Sequence, residues 1–128
     1  MKIKRSTLVK NLDAVFSKYI RRKDAIDEVA TCVTCGKKDH WSKLQNGHWA
    51  SRRHYSTRWD ERNCNVQCSA CNVFRAGEIY LYTKCLCSKY GDNFPEELYK
   101  LSQKTVKFTD RDLQDMIDYY KKELDKLI

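Results

Sequence analysis

The sequence predicts a mostly helical α+β domain stapled by a metal ion. Three observations predict it. Apolar residues recur at helical spacing near both ends of the chain. Two short cysteine pairs lie in its middle, and the stretch between them suits short strands joined by a polar loop. At 128 residues the chain suits one domain spanning 1–128, small enough to gain from a staple. That domain divides into an N-terminal helix at 7–26, a metal-bearing core at 30–78 and C-terminal helices at 78–128.

The helix at 7–26 rests on Leu8, Leu12, Val15, Phe16, Tyr19 and Ile20, which share one face. Lys10, Lys18, Arg21, Arg22 and Lys23 leave it a basic outer surface, for phosphate or for solvent. Residues 27–47 read as irregular, with a tight turn at 32–36. Residues 44–60 read as two short strands and their loop, and 63–76 as the entry to a helix. Glu78 to Tyr90 reads as helix, with Ile79, Tyr82, Leu86 and Tyr90 along one side and Gly91 as its stop. Pro95 opens a short helix to about Leu101. Thr109 followed by Asp112 reads as a variant capping box, with Asp where Glu or Gln is usual. The last helix carries Leu113, Met116, Ile117, Tyr120, Leu124 and Leu127 as a stripe expected to pack internally rather than against a second chain.

Charge and cysteine usage narrow the function classes. The net charge is +8, and residues 1–75 alone carry 16 basic against 7 acidic side chains. A basic front half favours a polyanion, of which nucleic acid is the commonest. No apolar run is long enough to span a membrane, and the opening Met1-Lys2-Ile3-Lys4-Arg5 lacks the apolar stretch of a signal peptide. The expectation is a cytoplasmic protein with no membrane partner. Seven cysteines, an odd number, in a reducing compartment favour a metal over disulfides. Cys32-x-x-Cys35 and Cys68-x-x-Cys71 can give four thiolates to one tetrahedral Zn²⁺. Cys64 and His40 are weaker substitutes, and Cys85 and Cys87 read as packing residues.

The stretch from His48 to Arg75 holds the side-chain types that phosphodiester hydrolysis needs. A neutral imidazole can take a proton from water, and a carbonyl or amide can fix its tautomer. An oxygen ligand can hold a hard divalent ion, and cationic side chains can hold a phosphate. The order is His48, then Asn63 five residues before Cys68-x-x-Cys71, then Asn72 directly after it. This pattern resembles the HNH, or ββα-metal, nuclease motif. The wider stretches Asn46-Gly47-His48-Trp49-Ala50-Ser51-Arg52-Arg53, Thr57 to Asn63, Gln67 to Asn72 and Lys89-Tyr90-Gly91 resemble the phage NinG/Rap recombination endonucleases.

That resemblance implies a two-stranded hairpin plus a helix, with the zinc site beneath. It implies His48 as general base, Asn63 as the residue that orients it by a hydrogen bond, and Asn72 as a ligand of a catalytic Mg²⁺ or Mn²⁺. Arg75 falls where many HNH domains carry a basic residue near the phosphate. The chain departs from the pattern at Gly47, where many HNH domains have a metal-binding Asp or His. Gln45, Asn46 and His54 are the alternative ligands. A second assignment gives His48 to the metal and His54 to proton transfer. Arg52, Arg53, His54, Arg58 and Arg75 are the expected DNA contacts. The resemblance also implies branched DNA, such as displacement loops and four-way junctions, in the infected host cytoplasm. A second copy of the chain and a recombinase are further candidate partners. Two rival readings remain. One is a non-catalytic zinc-finger module that binds DNA or recruits a recombinase. The other is an RNA-binding zinc knuckle stacking bases on Trp49, Tyr55 and Trp59.

Overall fold

In the computed structural model of the chain, residues 2–127 are described. Helix α1 spans Arg5–Arg22 and buries Leu8, Leu12, Phe16 and Ile20. It ends before the expected residue 26 because Asp27 and Glu28 both adopt left-handed backbone, which turns the chain back on itself between Ile26 and Val29. Strands β1 (Val29–Thr31) and β2 (Lys38–His40) then pair antiparallel around the first cysteine pair. The sequence of this segment reads as irregular. Strands of three residues are too short to display a two-residue alternation.

The central hairpin joins β3 (Gln45–His48) to β4 (Cys64–Gln67), with Gln45 opposite Gln67 and His48 opposite Cys64. The expectation of two strands within 44–60 is therefore half right, since the second strand lies further along. Between them run the short helix α2 (Tyr55–Arg58) and a 3-10 turn at Glu61–Asn63. A π-helical turn, Ala70–Phe74, follows β4 and carries the second cysteine pair into the rest of the chain.

Helix α3 (Ile79–Tyr90) ends at Gly91, whose φ of +105° few residues other than glycine adopt. Its buried stripe is narrower than expected. Tyr82 and Leu86 are fully covered, whereas Ile79 and Tyr90 are exposed. Helix α4 (Phe94–Ser102) carries Pro95 in its first turn. Helix α5 (Asp110–Asp125) opens on the expected box. The Asp112 amide donates to Thr109 Oγ1 at 3.0 Å, and the Thr109 amide donates to Asp112 Oδ2 at 2.8 Å.

Three apolar clusters organise the molecule. The largest packs Leu113, Ile117 and Tyr120 of α5 against the buried face of α1, with Trp59 and Cys64 beneath. The stripe of α5 thus serves the chain's own core, as expected, although Leu127 at its end is exposed. The second cluster gathers Ala30, Leu44 and three cysteines. In the third, α3 and α4 enclose Tyr82, Leu86, Phe94 and Leu98. The Tyr82 hydroxyl donates to the Gly47 carbonyl at 2.7 Å, which ties α3 to the hairpin. Among the described residues, no helix is long and apolar enough to cross a membrane.

Candidate functional site

Cys32 and Cys35 stand at the β1–β2 turn, where the Gly36 amide donates to the Cys32 carbonyl at 3.0 Å and Gly36 takes a φ of +81°. Cys68 follows β4 and Cys71 lies in the π-helical turn. The four sulfurs all fall within 4.8 Å of one another, and Cys35 Sγ lies 3.6 Å from Cys68 Sγ. Tetrahedral Zn–S bonds of about 2.3 Å separate sulfurs by roughly 3.8 Å, so the cluster fits zinc. Burial works against ionisation of Cys32, but the Thr34 hydroxyl and nearby backbone groups outweigh it and bring the thiol down to about 6. The substitute ligands are accounted for elsewhere. Cys64 is sealed in the α1–α5 core, and burial raises its thiol well above the usual range. His40 is engaged by Ser42 and Glu28. The Cys85 thiol donates to the Val33 carbonyl, consistent with a packing role.

His48 ends β3 and lines a pocket of about 260 Å³ between α1 and the hairpin. Asp13, Arg21, Gln45, Asn46 and Arg52 also line it. The ring nitrogen Nε2 lies 2.9 Å from the Arg58 carbonyl oxygen. A carbonyl only accepts, so Nε2 carries the proton and Nδ1 keeps its lone pair. Burial holds the imidazole pKa below the ordinary 6.5, with the Arg58 carbonyl pulling the other way. A neutral ring with a free acceptor nitrogen can accept a proton from water.

Asn63 makes other contacts than the expected one. Asn63 is fully buried and does not reach His48. Its Oδ1 accepts from the Ala50 amide at 2.7 Å, and its Nδ2 donates to the Ala50 and Thr57 carbonyls at 3.0 and 3.1 Å. It therefore fixes the loop at both ends, and the orienting contact to His48 comes from Arg58. Asn72 Nδ2 donates to Gln45 Oε1 at 2.7 Å, which joins the π-helical turn to the start of β3. Gly47 has a physical reason to lack a side chain. A Cβ there would lie 2.0 Å from Gln67 Oε1, and Gln67 is buried and donates to the Gly77 carbonyl.

A hard divalent ion wants oxygen donors. Asn46 Oδ1 is buried and has no hydrogen-bond partner, which suits a ligand atom in this pocket. His54 lines a different depression, with Ser102 and Lys104, so it does not join His48. Among the described residues, the four cysteines are the one group of three or more His, Cys, Asp or Glu that converge as metal ligands. A second ion would rest on asparagine oxygens, water and substrate phosphate.

A family model described as "Bacteriophage Lambda NinG protein" matches residues 1–128. The chain belongs to the NinG family. Proteins named ninG from Escherichia phage 933W and Enterobacteria phage VT2-Sa are each 26% identical to it over 100 residues. That stretch covers 73% of this chain and 45% of each relative. The chain thus spans about half the length of the curated relatives it matches. No solved structure matches it.

In this NinG chain the expected DNA contacts divide. Arg52 lines the His48 pocket and Arg53 is exposed. Arg58 is committed internally, since its Nε and Nη2 donate to Asp13 and its Nη1 to the Arg52 carbonyl. Arg75 Nη1 lies 4.0 Å from Cys71 Sγ, beside the cysteine cluster rather than in the pocket. The aromatics proposed for stacking are also occupied. Trp59 is buried, Trp49 donates to Thr83, and Tyr55 packs against Trp59. Nothing in the sequence singles out Asp13 as a pocket residue of α1, and it marks Arg21 only as part of the basic outer surface of that helix. Both fall on the flank of its apolar stripe, where periodicity marks a helix face but cannot say what that face meets.

Proposed function

We propose that this NinG-family chain is a metal-dependent HNH DNA endonuclease that cuts branched recombination intermediates. The observation that carries the reading is His48, a shielded neutral imidazole whose Nε2–H is held by a backbone carbonyl, facing a pocket edged by Arg21 and Arg52. It stands on a two-stranded hairpin that leads directly into the helical turn bearing Asn72, the order a ββα-metal nuclease requires.

In this reading His48 Nδ1 takes a proton from water as the water oxygen attacks phosphorus. The P–O3′ bond breaks, leaving a 3′-hydroxyl and a 5′-phosphate. Arg21 and Arg52 hold the non-bridging oxygens. Asn46 and Asn72 would hold Mg²⁺ or Mn²⁺, whose chemistry is to stabilise the charge on the leaving oxygen. The cysteine cluster, loaded with zinc, keeps the hairpin and the π-helical turn in register. A second reading, a non-catalytic zinc module that binds DNA, is favoured by Gly47 and by the absence of a carboxylate-rich site among the described residues.

The experiment is incubation of the zinc-loaded chain with labelled four-way junctions, displacement loops and linear duplexes, with magnesium or manganese and with chelator. The nuclease reading expects metal-dependent cutting of branched DNA. It expects His48→Ala to lower the rate about a hundredfold or more while binding and melting hold. Tight binding with no cutting under any metal would favour the non-catalytic module.

A further inference from the structure

Asp13 is the one acidic side chain lining the His48 pocket among the described residues, and it comes from α1 rather than from the hairpin. It makes no hydrogen bond to His48, although its charge acts on the ring through space and favours the protonated form. Its Oδ1 accepts from Arg58 Nε at 3.1 Å and from Trp59 Nε1 at 3.0 Å, and its Oδ2 accepts from Arg58 Nη2. Three donors from two successive residues thus converge on one carboxylate. The same Arg58 offers its carbonyl to His48 Nε2 at 2.9 Å. The Arg58–Trp59 link follows a helix of only four residues, too short to hold its own geometry in isolation. It needs anchors on both sides. Asn63 supplies one by donating to the Thr57 carbonyl at 3.1 Å, and Asp13 supplies the other.

We propose that Asp13 is a positioning residue. Its charge-assisted hydrogen bonds to Arg58 and Trp59 hold the Arg58 carbonyl against His48 Nε2, and so keep Nδ1 as the free ring nitrogen. Helix α1, outside the motif that carries the chemistry, is then part of the machinery. The ion pair is only partly exposed, with 12% of the Arg58 side chain and 22% of the Asp13 side chain accessible, so solvent competes weakly for it. A fixed carbonyl matters because misplacing a reacting group by about 1 Å can cost on the order of a hundredfold in rate.

The kinetic part rests on the nuclease reading, so the test has an arm that does not. In the zinc-loaded full chain, the hydrogen-bonded His48 Nε2–H is followed by ¹⁵N–¹H correlation in wild type, Asp13→Ala, Asp13→Asn and Asp13→Glu. Cleavage kinetics, zinc content and melting are measured on the same samples. The expected result is a sharp His48 N–H signal in wild type and Asp13→Glu, broadened in Asp13→Asn and lost in Asp13→Ala. Zinc content should not change, and kcat should fall about a hundredfold in Asp13→Ala with KM within about twofold. If Asp13→Ala fails to fold, the isosteric Asp13→Asn decides. An unchanged His48 signal in Asp13→Ala and Asp13→Asn would overturn the proposal. So would a loss of kcat with that signal intact, because Asp13 would then act on substrate or metal directly. A wild type that does not cut DNA would remove the nuclease reading, and the N–H signal would still decide the clamp.

Discussion

At His48 the direction of the pKa shift sets a pH window. A general base must be neutral, and burial lowers this imidazole below 6.5. The neutral form therefore predominates at pH 7, and cleavage should change little through neutral pH. It should fall only as pH drops through the lowered folded value. The same shift makes the unfolded chain bind a proton that the folded chain refuses, so stability also declines as pH falls below about 6.5. The check is kcat/KM against pH beside an NMR titration of His48. An acid limb at or above 6.5 would show that another group is the base. Asn63 teaches a different lesson at this scale. Its place in the motif was legible, but its partners were not, because a buried amide bonds whatever the loop brings to it.

Among the elements, α5 was the most legible and is the most consequential for packing. Its capping box and apolar stripe both appear in the sequence, and both are local devices set by three- and four-residue spacings. Leu113 is fully buried against α1. Leu113→Ala should cost about 2–5 kcal/mol, partly lost transfer energy and partly the cavity left behind. Denaturant unfolding measures it, and a wild-type midpoint would mean that α5 does not hold α1. The strands were the least legible elements. β3 and β4 contain Asn46, Gly47, Asn65 and Gln67 in place of an apolar alternation, and Asn65 and Gln67 are buried in hydrogen bonds to Tyr82 and the Gly77 carbonyl.

For the molecule as a whole, a metal in the cysteine cluster would crosslink the β1–β2 turn to the end of the central hairpin. Two ligands come from each side of a 32-residue gap. Zinc binding in such a site contributes directly to folding free energy. Purified chain should contain one zinc per molecule, and strong chelation or Cys68→Ser should lower the melting temperature and blunt its cooperativity. Metal analysis with calorimetry checks this, and a zinc-free chain that melts unchanged would exclude a structural role. The charge on the molecule also reads differently in three dimensions. Part of the basic front half is spent inside the protein, on the Arg58–Asp13 pair. Arg52 and Arg53, with Lys10 and Lys18 of α1, remain exposed.

The sequence by itself determined the features that depend on short spacings. These are the two cysteine pairs, the three longer helices, the capping box of α5 and the Gly91 stop of α3, the buried stripe of α5, and the His48–Asn63–Asn72 order. Each is written within a few residues or in a pattern that spacing preserves. Tertiary structure alone decided which nitrogen of His48 is free, why Gly47 bears no side chain, and that Asp13 and Arg21 line the pocket. Those outcomes depend on residues far apart in sequence coming within about 3 Å of one another. Asp13 and Arg58 are 45 positions apart, and Gly47 and Gln67 meet only because β3 pairs with β4. Packing, not periodicity, chooses such partners, since a helix face or strand register fixes a direction and the neighbour decides what is found there.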